Sequence, residues 1–461
     1  MNKFLKKFLA VSFVFVLTFV LIGCGDQSKG SDDELNDGGS IFHIYAWNTE
    51  FQGFFNKYVS DEKTNDPSIE TYHLDGIPVK WTIVTSDNGA YQNALDMALR
   101  ENATANEENK VDMFLAEADY ILKYVNTSLT KDIEKIGVDD FSQAYQYTVD
   151  IGTDRTGVIK AASFQCCPAG MVYRRSIALE VLGVSEPEDV QPLVDSWEKF
   201  EDVAEMMKAK GYYMTGSYAD TYRVFSNNAD KPWVDENKVV QIPTPVQTWM
   251  EQAERFVELG YTKTEGIWDS GKTIEFAEGG KVFCTFGPAW YYNFCMGPAM
   301  GEGEDHVGGT YGDWGLVAGP QAYFWGGTWL LCPSAGSNDS LVAKTMNAFL
   351  NNEEILERLV KEESQFSNNK KVNAKVADDY DAEGKGNGLL NGQNDTKVWV
   401  SMADNIVVRY STIYDQHCNE GLQTAFVKFL KNDAEINTKE KALADFYAEL
   451  LKAFPNLVVP N

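Results

Sequence analysis

Four histidines in 461 residues, none of them in H-E-x-x-H spacing, leave no zinc-hydrolase signature. The nucleophile elbow G-x-S-x-G, the Walker loop and the dinucleotide fingerprint G-x-G-x-x-G are missing too, so no cofactor is expected. Positive charge is scarce. Lys and Arg total 40 against 68 Asp and Glu, and the net charge of −28 repels nucleic-acid phosphates and anionic lipid heads. Binding to DNA or RNA is thereby excluded. Beyond the amino-terminal stretch no apolar run is long enough to span a bilayer. Cysteines form no C-x-x-C pair or zinc pattern. Cys166 and Cys167 are neighbours, which seldom bond each other without strain. With Cys284, Cys295, Cys332 and Cys418 they read as small buried residues, a Cys284–Cys332 bridge staying open.

What is present begins with Lys3, Lys6 and Lys7, an apolar run from Phe8 to Ile22, and Leu21-Ile22-Gly23-Cys24. Basic head, apolar centre and a small residue before the cut make 1–23 a signal peptide. The last four residues resemble the bacterial lipobox, which implies lipidation of Cys24. Residues 24–40 are Gly, Ser, Asp, Asn and Glu with almost no apolar side chain, a composition that predicts a flexible tether. The expected place is the extracellular face of the cell membrane. The remainder, with 44% hydrophobic and 13% aromatic residues over the whole chain, is long enough for two cores.

Strand-like and helix-like segments alternate, the pattern of an α/β fold. Period-two apolar positions predict strands at 41–47, 79–84 and 111–115, and helical spacing covers Tyr91, Leu95, Ala98 and Leu99. Ser196 is placed to cap a helix with Phe200, Val203 and Met207 on its apolar face; Pro245 and Gly260 bracket another. Residues 341–350 and 443–451 read as one-sided helices. The stretch 378–392, rich in Asp, Gly and Asn, predicts a disordered loop. Asp379, Asp381, Glu383 and Gly384 match half of a calcium loop, but Leu390 stands where a bidentate Glu is needed, so no metal site is assigned.

Chemistry concentrates in aromatics lying among Gly, Pro and Asn: Gly287-Pro288-Ala289-Trp290-Tyr291-Tyr292-Asn293-Phe294, Tyr311-Gly312-Asp313-Trp314 and Tyr323-Phe324-Trp325-Gly326-Gly327-Thr328-Trp329. Flat rings beside Asn, Asp and Glu suit a sugar, with its apolar C–H faces and hydroxyl rim. Glu50, Glu117 and Asp119 near strand ends would serve a glycosidase as an acid pair, or a receptor as hydrogen-bond acceptors. The lack of other catalytic signatures favours binding.

Several pieces in order resemble the family-one extracellular solute-binding proteins of carbohydrate ABC importers. They are Ala46-Trp47-Asn48-Thr49-Glu50-Phe51, Asn88-Gly89-Ala90-Tyr91, Asp112-Met113-Phe114 with Glu117-Ala118-Asp119, and Gly170-Met171-Val172-Tyr173-Arg174. Phe276-Ala277-Glu278-Gly279-Gly280-Lys281, Gly287-Pro288-Ala289-Trp290 and Trp325-Gly326-Gly327-Thr328 follow. The resemblance implies an α/β, two-lobe periplasmic-binding-protein-like fold of type II, binding without catalysing. It implies a monomer that captures a carbohydrate, an oligosaccharide first, between lobes and delivers it to permease subunits. Implied ligand-facing residues are Trp47, Asn48, Glu50, Asn88, Tyr91, Glu117, Asp119, Tyr173, Trp290, Trp325, Gly326 and Gly327. Crossings between lobes are expected near 161–165, 284–287 and 332–337. The N-terminal lobe would be 41–163 with 286–333, the C-terminal lobe 164–285 with 334–461. A glycan-cleaving lipoprotein enzyme, or the same fold with a peptide or other polar solute, are the alternatives.

Overall fold

The computed structural model describes residues 35–63 and 68–460. The signal peptide 1–23, Cys24 and the tether as far as residue 34 lie outside them. Twelve strands occur among the described residues: β1 (Phe42–Ala46), β2 (His73–Leu74), β3 (Ile77–Ile83), β4 (Met113–Glu117), β5 (Ala161–Ser163), β6 (Pro168–Arg174), β7 (Tyr213–Ser217), β8 (Thr262–Glu265), β9 (Val282–Pro288), β10 (Trp314–Val317), β11 (Tyr323–Phe324) and β12 (Thr328–Leu331).

They form two sheets. The first has the order β2-β3-β1-β4-β12-β5, with β1 parallel to β3 and β4. The second has the order β10-β6-β9-β7-β8 with β11 beside β6, and here β7 is parallel to both β8 and β9. Fully buried strands such as β6, β9 and β12 carry continuous runs of buried residues, as central strands covered on both faces do.

The expected helices form where their punctuation predicts. Ser196 Oγ accepts the Lys199 amide at 3.3 Å and starts the helix Trp197–Ala209, which buries Phe200, Val203, Ala204 and Met207. Thr244–Leu259 carries Pro in its first turn and stops at left-handed Gly260. The acidic stretch is different from its expectation. Residues 378–383 complete the helix Lys370–Glu383, and Leu389 and Leu390 are buried in a short turn. Asp379 pairs with Lys361 and Lys375, and Asp381 with Lys397, so neither is shaped into a calcium loop. The six described cysteines are free and buried; Cys284 Sγ donates to the Met214 carbonyl, and no bridge joins it to Cys332.

Strand pairing redraws the expected lobes. One crossing runs through 164–167, between β5 and β6, where Cys166 N donates to the Phe366 carbonyl at 3.0 Å. The second is 325–327, between β11 and β12. A third follows the helix Lys370–Glu383, whose Val372 and Val376 lie in the first core, and leads to Asp395–Ala403, whose Trp399 and Met402 lie with β6 and β10. Residues 284–287 are mid-strand in β9, and 332–337 stay with the first sheet, Ser337 N donating to Asp112 at 2.7 Å. Gly287, read as a chain exit, serves packing instead: a Cβ there would stand 2.4 Å from Tyr291 Cγ. Thus residues 286–324 sit with the second sheet, and the helices Asp339–Asn351, Glu353–Glu363 and Lys370–Glu383 with the first.

The tether also ends earlier than its composition predicts. Asn36 N donates to Asp339 Oδ2 at 3.0 Å, Gly39 N to the Ser337 carbonyl at 2.9 Å, and Ser340 N to Asp37 Oδ1 at 2.8 Å. Residues 36–39 are therefore docked on the start of the helix Asp339–Asn351. Polar side chains that cannot fold alone still find partners at a helix end.

At the centre of the second lobe lies a wholly buried ion pair, Lys272 with Asp220, at 2.6 Å. Lys272 Nζ also donates to Tyr291 Oη at 2.6 Å, while Asp220 accepts from Thr285 Oγ1 at 2.9 Å and the Ser217 amide at 2.8 Å. Removing one partner of such a pair strands a buried charge, so Lys272→Met is expected to lower stability by about 3–5 kcal/mol. Urea unfolding followed by circular dichroism measures it; a loss under about 1 kcal/mol would contradict this role.

Candidate functional site

Parallel strands in both sheets aim their carboxyl ends at the same gap, the position where open α/β sheets place ligands. From the first sheet β1 delivers Trp47, Asn48 and Glu50, and β4 delivers Glu117, Ala118 and Asp119. From the second, β7 leads to Arg223 on the helix Tyr222–Asn227, β8 to Trp268, and β9 to Trp290. The second crossing supplies Trp325, Gly326 and Gly327.

One wall is aromatic. Trp268 and Trp290 lie nearly parallel, centroids 6.3 Å apart and planes 17° apart, and Trp325 meets Trp290 edge-on at 5.1 Å. Trp290 Nε1 donates to the Trp325 carbonyl at 3.2 Å. Gly326, at φ +75°, leaves room for this: a Cβ would come 3.2 Å from that same nitrogen. Trp268 is 63% exposed and Phe294, against the other edge of Trp290, 55% exposed. These two rings keep much of their surface open to solvent beside Trp290 instead of packing into the core.

The facing wall is acidic and amide-bearing. Asn48 Oδ1 accepts the Glu50 amide at 3.0 Å, which sets the start of the helix Glu50–Tyr58. Gln365 Nε2 donates to Glu50 Oε1 at 3.1 Å, yet burial prevails and pushes the Glu50 carboxyl up to about 7. With Phe54, Asn293 and Phe294 these residues enclose a cavity of about 300 Å³. Glu117 accepts the Asp119 amide at 2.8 Å; burial, then the adjacent Asp119 carboxylate, drive its own carboxyl upward. Asp119 is held across the gap by Arg223, whose Nη1 donates to Oδ1 at 2.6 Å while Nη2 pairs with Oδ2. Gln92 and Gln416 make a second polar contact between lobes, 2.9 Å. Beside Arg223 lies another cavity, about 330 Å³, lined by Asp119, Asn227, Tyr323, Asp415 and the segment 405–412. Burial pushes Asp415 up to about 7.

Asn48 and Glu50 line one cavity and Asp119 the other; Glu117 lies beside Asp119, the Gly327 carbonyl accepts the Ala118 amide, Trp290, Trp325 and Gly326 meet in the aromatic cluster, and Trp47 is half-buried against Tyr91 and Tyr120. Tyr91 does not face the gap. Its ring is fully buried and its hydroxyl donates to the Leu115 carbonyl at 2.6 Å, a strut behind β4. Tyr173 is likewise buried, donating to the Ser185 carbonyl at 2.7 Å beside Phe283. Asn88 occupies an exposed left-handed turn (φ 51°) and lines neither cavity. Sequence reasoning passed over Trp268, Arg223, Gln365 and Asp415. Trp268 had a signal, a lone Trp between Gly266 and Asp269 directly after a strand; the other three had none.

The chain matches the profile of the bacterial extracellular solute-binding proteins over residues 70–385. No curated protein matches it. Among solved structures, an extracellular solute-binding protein of family 1 is 18% identical, with 90% of this chain and 99% of that one covered and a TM-score of 0.70. The ABC transporter-associated binding protein of B. animalis subsp. lactis, in complex with β-1,6-galactobiose, is 15% identical over 92% and 100%, TM-score 0.64. The galacto-N-biose-/lacto-N-biose I-binding protein of the Bifidobacterium longum ABC transporter, in complex with lacto-N-biose, is 12% identical over 93% and 100%, TM-score 0.62. The architecture is the two-lobe periplasmic-binding-protein fold.

A carboxyl that holds its proton more tightly folded than unfolded stabilises the fold in acid and loses that contribution as pH rises. For Glu50 the window runs from the ordinary value of 4.5 to about 7. Glu50→Gln is expected to flatten this part of the stability–pH curve. Thermal unfolding of both proteins across the window checks it; parallel curves would refute the assignment.

Proposed function

The chain belongs to the bacterial extracellular solute-binding proteins, and from that premise we propose that it captures a carbohydrate in the gap between its lobes and hands it to an ABC importer. The family is one of binding proteins, so the glycosidase alternative falls away. The observation that carries the carbohydrate reading is that Phe294, one end of the Trp268–Trp290–Phe294 shelf, shares a cavity with the carboxyl and amide groups of Asn48, Glu50 and Gln365. Stacked rings take the C–H face of a pyranose, and groups that donate or accept take its hydroxyl rim. Solved relatives that carry galactobiose and lacto-N-biose support the same ligand class.

The ligand-facing set proposed is Trp47, Asn48, Glu50, Glu117, Asp119, Arg223, Trp268, Trp290, Phe294 and Trp325. Ligand touching both lobes favours the closed arrangement, because only that arrangement completes the contacts. Export follows from the family. Attachment through lipidated Cys24 belongs to the proposal, supported by the Leu21-Ile22-Gly23-Cys24 motif, as do permease partners and a monomeric state. Among the described residues no helix is long and apolar enough to cross a membrane.

Calorimetry against a panel of di- to tetrasaccharides, free amino acids and short peptides tests the reading; binding confined to peptides would overturn it. Trp268→Ala is expected to weaken the bound sugar roughly tenfold, the cost of about 1.4 kcal/mol in lost stacking. Because Trp268 is largely exposed, its loss should leave the unfolding temperature unchanged.

A further inference from the structure

Arg223 is the point at which this gap would recognise an anion, and it is already occupied. Both terminal nitrogens of its guanidinium pair with the two oxygens of Asp119 across the lobes, a bidentate arrangement in which each side chain is less than a fifth exposed. Among the described residues lining the two cavities the only other cation is Arg409, which is exposed at the rim. Carboxyl groups outnumber them: Asp119 and Asp415 line the first cavity, Glu50 and Glu363 the second, and Glu117 stands between. Only Glu363 has a separate neutralising partner, Lys57 at 2.6 Å.

Resting on the carbohydrate reading above, we infer that Asp119 sets the charge class of the ligand: by masking Arg223 it makes the gap select uncharged glycans and reject those bearing uronic acids. A uronate entering here meets several carboxyl groups and a guanidinium whose fork is spent. A carboxylate that leaves water for a desolvated site without gaining a cation costs several kcal/mol, even where the neighbouring carboxyl groups keep their protons. The site already resists negative charge, since burial holds Glu50, Glu117 and Asp415 above the ordinary carboxylate range. Carboxyl groups that keep their protons both donate and accept, which matches neutral hydroxyls.

The test is calorimetry of the whole chain with matched pairs: galactotriose and trigalacturonate, maltotriose and its C6-oxidised triuronate, and cellotriose and its C6-oxidised triuronate. For a pair whose neutral member binds, the uronate is expected to bind about 100-fold more weakly. Asp119→Asn frees the guanidinium and should narrow that gap about tenfold by a gain in uronate affinity. Arg223→Gln is the second variant: with Asp119 left unpaired, rejection should persist or deepen. Equal affinity of the wild type for both members would overturn the inference while leaving the carbohydrate reading intact. So would an Asp119→Asn variant that weakens both members alike. Silence from every glycan of both kinds would instead sink the carbohydrate reading, and this inference with it.

Discussion

The Lys272–Asp220 pair holds together the elements that carry the second lobe's side of the gap. One buried ammonium and one buried carboxylate tie the turn after β7, the middle of β9, and the two short helices Ser270–Thr273 and Tyr291–Cys295. Each of these leads directly to a wall of the gap: Arg223 lies three residues beyond Asp220, Trp268 four before Lys272, and Trp290 immediately before Tyr291. A buried charge pair tolerates only narrow geometry, because either ion left without its partner faces the full cost of desolvation. The aromatic shelf and the guanidinium thereby inherit their relative positions from one contact that no ligand touches.

A second network holds the first lobe to the crossings. Thr328 Oγ1 donates to Gln165 Oε1 at 3.1 Å, Gln165 Nε2 to Gln365 Oε1 at 2.9 Å, and Gln365 Nε2 to Glu50 at 3.1 Å. Thr328 follows one crossing, Gln165 lies in another, and Glu50 faces the gap. Amides in such a chain are oriented by their neighbours, so the orientation of the last donor depends on the backbone of both crossings. The Glu50 carboxyl and two of the crossings between the sheets are parts of one hydrogen-bonded line.

Local structure was legible because it is local. Period-two runs gave β1 and β3, and Ser196, Pro245 and Gly260 marked helix ends through hydrogen bonds and dihedrals that depend on a few neighbouring residues. Lobe membership was not, because it depends on which strand a four-residue segment chooses. β10 and β12 are both short and fully buried, yet one lies beside β6 and the other between β4 and β5. The same limit divides the site. Trp290 and Trp325 were visible as rings among glycines, but Tyr91, in a helix, and Tyr173, in a buried strand, turn inward, where single carbonyls receive their hydroxyls. Arg223 and Gln365 join the candidate site only through partners more than a hundred residues away.

The glycines at 326 and 327 add a mechanical consequence. They adopt φ of +75° and +111°, press on Trp290 and Trp329, and follow Trp325, whose amide donates to the Cys167 carbonyl at 3.1 Å, so the two neighbouring crossings are stitched together at the foot of the shelf. Any rotation of one sheet against the other about these segments has its fulcrum beside the tryptophans. Displacement grows with distance from a fulcrum, so the shelf scarcely travels while the outer rims sweep the longest arc. Like tongs gripped near the pivot, two sheets turning about these segments would change outline most at their tips and least beside Trp290.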